Sequence, residues 1–166
     1  MHRMRGWETT ERLLGSGRYE SRQRALVSTP VVDASEAGAR WLGVSYWAVI
    51  SRFTRGAVRA RWSAEGGKLL LLAGVELLTF GPAELTVGDE GVNCRFSIRG
   101  GLLALRAGGS VVLAQRNVGD EYELSVTVEE YLPRLDGRLY AKAQSPFHAA
   151  LSRRYFELLE RQRSGS

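Results

Sequence analysis

The side chains able to do chemistry in this 166-residue chain are few. His148 is the histidine expected inside an ordered element. At helical spacing it lies near Ser152 and Tyr155, and a histidine beside a tyrosine can act as a general acid/base pair. The plainer reading is a partly exposed histidine near a helix start, where the helix dipole disfavours the imidazolium. Cys94 falls on the apolar face of an alternating stretch and reads as a buried structural thiol rather than a nucleophile. Arg59, Arg61, Arg95 and Arg99 occupy the polar faces of expected strands. They point to water in an ordinary sheet. In a sheet that walls a cavity, one of them, with Arg99 the candidate, would bind a carboxylate or enolate oxygen. Gln115 shares a strand face with Val111 and Leu113, so its amide faces the core or a cavity and needs partners. Tyr131 shares a face with Thr127 and Glu129, either solvated or cavity-lining. Trp41, Tyr46, Trp47 and Trp62 read first as core aromatics.

Other chemistries lack their residues. His2, His148 and Cys94 do not make a usual zinc set, and no EF-hand spacing supports calcium. No phosphate-binding loop or dinucleotide glycine fingerprint is present. No metal, no cofactor and no catalytic residue is assigned, and whether the chain is an enzyme is left open.

These side chains need a scaffold, and the composition supports one globular domain: 44% apolar and 25% charged residues. A lone cysteine allows no intrachain disulfide, which fits a reducing compartment. With no apolar leader after Met1, a cytoplasmic location is expected. The longest apolar stretch, 68–80, is interrupted by Gly74 and Glu76 and is too short to span a bilayer, so no membrane insertion is expected. The net charge of +5 is uneven. Residues 1–27 carry +3, residues 28–133 carry −2 and residues 134–166 carry +4. The basicity sits at the ends rather than on one groove-facing element, which speaks against nucleic acid as a partner.

Residues 1–18 read as a loosely ordered basic arm, with at most a short element around Thr9–Leu14, and 164–166 as a disordered tail. Tyr19–Ser28 reads as a first strand. Asp33-Ala34-Ser35-Glu36 is a capping-box pattern that predicts a helix from Ala34 to about Leu42, broken by Gly43. Val44–Thr54 reads as a second helix by its position, with a strand as the alternative. From Ala57 onward, glycine and charged turns recur every eight to twelve residues, the rhythm of a meander. Its strands are expected at Ala57–Trp62, Lys68–Ala73, Val75–Phe80, Glu84–Val87, Val92–Arg99, Leu102–Arg106, Ser110–Arg116 and Tyr122–Leu132. Ser145-Pro146 signals the start of a long closing helix to about Arg163, with Phe147, Leu151, Tyr155 and Leu158 as its buried stripe.

The fold class expected is therefore α+β. A curved antiparallel sheet of about seven to nine strands carries one or two short helices after its first strand and a long C-terminal helix packed on it. With Gly56-Ala57-Val58-Arg59-Ala60-Arg61-Trp62 opening the meander and His148–Leu159 closing it, residues 19–163 resemble the helix-grip fold of the START-like, Bet v 1-like superfamily, which includes polyketide cyclases. The resemblance implies a single domain whose sheet grips the last helix around an apolar cavity. The aromatics of 41–47 would border the cavity mouth. A closed lipocalin-like β-barrel, with Val44–Thr54 as a strand, is the alternative architecture.

Three functions follow. The first is binding of a small apolar molecule, a lipid or polyketide, between sheet and helix, with Trp41, Tyr46, Trp47, Arg99, Gln115, Tyr131 and His148 as the candidate contacts. The second is a cyclase, dehydratase or isomerase on the same scaffold, with an arginine or tyrosine stabilising an enolate. The third is an interaction module whose basic ends dock on a protein or nucleic acid. The oligomeric state is not legible.

Overall fold

A computed structural model describes residues 4–164. The elements run β1 (Arg5–Leu13), β2 (Tyr19–Val27), α1 (Glu36–Phe53), β3 (Val58–Ser63), β4 (Gly66–Leu71), β5 (Glu76–Gly88), β6 (Gly91–Gly100), β7 (Ser110–Val118), β8 (Glu121–Tyr131) and α2 (Gly137–Ser164). One eight-stranded antiparallel sheet has the order β1-β2-β8-β7-β6-β5-β4-β3. Its two edges, β1 and β3, are not paired with each other, so the sheet is open and the closed-barrel alternative is excluded. Both helices pack on one face.

The pleat explains which face that is. Val92, Cys94, Phe96 and Ile98 are buried, while Arg95 and Arg99 between them are exposed, as period-two alternation requires. In α1, Leu42, Tyr46, Val49 and Ile50 recur at helical spacing and are all buried.

Several expectations are corrected. The basic arm is a strand: β1 pairs with β2 from Arg5↔Leu26 to Leu13↔Tyr19. Apart from Trp7, which meets the Phe156 ring at 5.8 Å, its residues are exposed, and the charges of such an edge discourage further pairing. The two helices are one. Gly43 does not break α1, because a β-carbon there would come within 2.7 Å of the Phe96 ring and 2.8 Å of Cys94 Sγ. The glycine serves close helix–sheet packing. The N-cap is Ser35, whose Oγ accepts from the Gly38 amide at 3.1 Å, rather than Asp33.

Two expected strands merge into β5, with Gly81-Pro82 accommodated in a bulge between Phe80 and Ala83. Leu102–Arg106 is not a strand. The amides of Leu102 and Leu103 bond to the carbonyls of Glu76 and Leu77, which carries this segment across the end of β5. The last helix begins at Gly137, and Pro146 lies inside it. Ser164 ends α2, and residues 165–166 of the expected tail lie outside the described residues.

Candidate functional site

The helices and the sheet enclose a partly open cavity of about 280 Å³. The floor is built by inward residues of successive strands: Val58 of β3, Leu69 of β4, Leu78 and Phe80 of β5, Val111 of β7 and Val128 of β8. Tyr46, Trp47 and Ile50 of α1 form one wall, and Phe147, His148 and Leu151 of α2 form another. Each side chain is placed by a simple periodicity, two on the strands and about three to four on the helices.

The wall from α1 is an aromatic cluster. The Trp47 ring stacks on Trp62 at 5.1 Å between centroids and meets Phe80 at 4.9 Å and Phe96 at 5.1 Å. Trp62 in turn lies directly over Gly67 of β4, where a β-carbon would stand 1.8 Å from its ring. A missing side chain on one strand thus sets the tilt of a ring that supports the cavity wall. The Trp47 indole N–H is buried without an acceptor among the described residues. Burial alone pushes the Tyr46 phenol upward. The Tyr155 hydroxyl donates to the Leu42 carbonyl at 2.8 Å and ties α2 to α1.

His148 lies at the polar end of this cavity. Burial lowers its pKa to about 4, against a smaller opposing pull from the Glu11 carboxylate of β1. Glu11 also accepts from the Tyr19 hydroxyl at 2.9 Å. One turn further along α2, Ser152 donates to Gln23 Oε1 at 3.3 Å, and both are fully buried. The imidazole is therefore neutral at pH 7. Between about pH 6.5 and pH 4 the unfolded chain takes up a proton at this histidine and the folded chain does not. Stability is expected to fall as the solution is acidified through that window, by about 3 kcal/mol in all. Urea midpoints at pH 7 and pH 4.5 should differ less in His148→Gln than in the parent; equal slopes in the two proteins would refute the assignment.

Of the seven candidate contacts, the structure brings together three: Tyr46, Trp47 and His148. The other four are corrected. Trp41 is 43% exposed, on the outer side of α1. Arg99 is exposed on the sheet face away from the helices and packs over Gly81. Arg59, Arg61 and Arg95 are exposed too, and Arg95 pairs with Glu129 at 3.0 Å. Gln115 is buried, but its amide is used inside the fold. Its Oε1 accepts from the amides of Val31 at 2.7 Å and Val32 at 3.1 Å, and its Nε2 donates to the Val32 carbonyl at 2.8 Å. Tyr131 does not share the face of Thr127 and Glu129. Glu130 adopts a positive φ of 47°, which turns Tyr131 to the core, where its hydroxyl donates to the Leu103 carbonyl. Glu11 of β1 and Tyr19 and Gln23 of β2 were missed in the sequence; the only signal there is polar residues at inward positions of β2, and the exposed Glu11 carries none.

A larger groove of about 700 Å³ lies on the opposite face of the sheet. Four arginines and four glutamates line it, and most are joined to one another or to Glu123. Arg22 and Arg24 both reach the buried Glu123 carboxylate, and Arg24 also meets Glu8. A surface whose charges already satisfy each other offers little to a ligand, so the apolar cavity is the candidate site.

Fold and site together define an α+β protein with two helices closing an apolar cavity on an open antiparallel sheet. Neither a family model nor a curated protein matches the chain. Among solved structures it is similar to the crystal structure of CalU16 from Micromonospora echinospora, at 13% identity and a TM-score of 0.41, covering 89% of this chain and 79% of that one. It is also similar to the solution NMR structure of CalU16, at 11% identity and a TM-score of 0.38, covering 95% and 74%. At these values the likeness carries no argument about the site.

Proposed function

We propose that the protein binds a small apolar molecule in the cavity between the sheet and the two helices. The observation that carries this reading is a partly open 280 Å³ space between sheet and helices whose lining is almost wholly apolar and aromatic, the usual character of a small-molecule site. Drug-sized sites run from about 300 to 1,000 Å³, so the ligand is a small one, of the order of one or two rings or a short acyl chain. The unpartnered Trp47 indole N–H supports a ligand that carries an acceptor oxygen, since an unpaired buried donor is costly. The neutral His148 adds a second polar contact at the cavity's end.

The test is native mass spectrometry of the purified protein, followed by denaturing extraction of any adduct. An apolar adduct with a carbonyl or hydroxyl oxygen is expected. Val111→Phe places a ring into the cavity from its floor. It is expected to reduce binding of the extracted compound at least about tenfold while costing about 1–3 kcal/mol of stability. A clean unliganded mass, with no thermal shift from a panel of small aromatic and acyl compounds, would remove the reading.

A further inference from the structure

The turn between β4 and β5 runs against the ordinary chemistry of loops. Loop tips facing water are built from Gly, Pro, Asn, Asp and Ser. Here Leu71, Leu72, Ala73, Gly74 and Val75 are all apolar and all exposed. Leu72 is 60% exposed, more than any other large apolar side chain of the described residues. The backbone holds them outward. Ala73 and Gly74 take positive φ values of 71° and 84°, and the Leu71 amide closes the turn on the Val75 carbonyl at 2.9 Å. A left-handed alanine persists only where its surroundings impose it. Leu102, also exposed, sits beside the turn, its amide bonded to the Glu76 carbonyl.

Exposed cations flank the turn on two sides. The Leu72 amide bonds to the Ala57 carbonyl at 3.0 Å, which places Arg55 and Arg59 on either side of the turn's neighbour. Arg106 ends the segment that Leu102 begins. All three are exposed, and none forms an ion pair among the described residues. Residues 52–59 and 99–106 contain no Asp or Glu. The carboxylate that adjoins the turn, Glu76, is engaged by Lys68.

We propose that this tip docks on the surface of an anionic lipid bilayer, with Leu72 and Val75 entering the boundary between headgroups and acyl chains and Arg55, Arg59 and Arg106 facing lipid phosphates. The charge decides the occupant. A second copy would bring cation against cation, whereas the cytoplasmic leaflet of a membrane is negative. The mode is peripheral, since no helix of the described residues is long and apolar enough to cross a membrane. Because β4 and β5 carry cavity residues Leu69 and Leu77 directly into this turn, docking would set the cavity against the lipid. The docking itself does not require that the cavity be occupied.

The test is co-sedimentation of the full chain with vesicles of phosphatidylcholine alone and of an equal mixture with phosphatidylglycerol. Binding is expected to the mixed vesicles and to weaken as salt rises. The double substitution Leu72→Ser with Val75→Ser is expected to lower partitioning at least about tenfold with an unchanged thermal midpoint. Arg55→Glu with Arg59→Glu is expected to remove the preference for phosphatidylglycerol. Val111→Phe should sediment like the parent, which separates a failure of the cavity from a failure of the tip. No binding to mixed vesicles, or equal binding by the tip variant, would overturn the proposal. A dimer that the tip variant dissolves, with no vesicle binding, would assign the patch to self-association instead.

Discussion

Replacing Trp47 with alanine is expected to lower the unfolding free energy by about 3–5 kcal/mol, the range for removing a large aromatic from a packed core. Trp47 is 5% exposed and meets four other rings: Tyr46, Trp62, Phe80 and Phe96. Each aromatic pair adds something of order 1 kcal/mol beyond area burial, so the upper half of the range is expected. The void left by the indole would join the existing cavity rather than collapse, because its far walls are strands held in register on both sides. Trp47→Phe keeps most of the contacts and should cost about half as much. Urea denaturation followed by circular dichroism measures both. A loss below about 1 kcal/mol for the alanine variant would mean that the ring cluster is not a structural unit.

Gln115→Glu is expected to cost a similar amount, about 3–5 kcal/mol at pH 7, for an electrostatic reason. The amide of Gln115 is placed so that its oxygen takes two backbone amides and its nitrogen gives to a backbone carbonyl. A carboxylate keeps the first two bonds and sets a second oxygen against the Val32 carbonyl, with a buried charge added. Gln115→Leu removes all three bonds and leaves the groups of Val31 and Val32 unpaired, at about 1–3 kcal/mol for each orphan. The glutamate variant should regain part of its stability as the pH falls and the carboxyl takes up a proton to donate again. The leucine variant should not. Identical pH profiles for the two would show that the donor half of the amide is unimportant.

The architecture was legible where one face of an element is buried and the other wet. The strand 91–100 and the closing helix show such alternation directly, and the α+β class follows from them. β1 was not legible because eight of its nine residues are exposed, so it carries no hydrophobic period. Gly43 misled because in a helix a glycine marks either a stop or a close approach, and only the position of Phe96 and Cys94 distinguishes them. The candidate site was half legible. The aromatics at 46 and 47 were expected there from the resemblance of the element order to a helix-grip fold, and the histidine at 148 from its place on the closing helix. Gln115 was correctly read as buried, but what satisfies a buried amide is decided by the distant segment at Val31 and Val32. Tyr131 escaped because a single left-handed residue, Glu130, reverses the side-chain alternation behind it.

The sheet order carries one further consequence, in the entropy of closing the chain. From β3 to β8 every strand pairs with its sequence neighbour, and each such hairpin closes over a short span. The junction of β2 with β8 is the exception, where Tyr19 meets Tyr131 and Val27 meets Tyr122, about a hundred residues apart along the chain. Loop-closure cost grows only with the logarithm of length, so this one seam is more demanding in search time than in free energy. The last strand of the meander is thus the template on which the first hairpin must land. The polar contacts that cross the seam, Arg22 and Arg24 to Glu123, lie on the face away from the cavity. Local pairing can organise the floor of the cavity, but β2, whose Gln23 meets Ser152 on the helix that carries His148, joins that floor only when the distant seam closes.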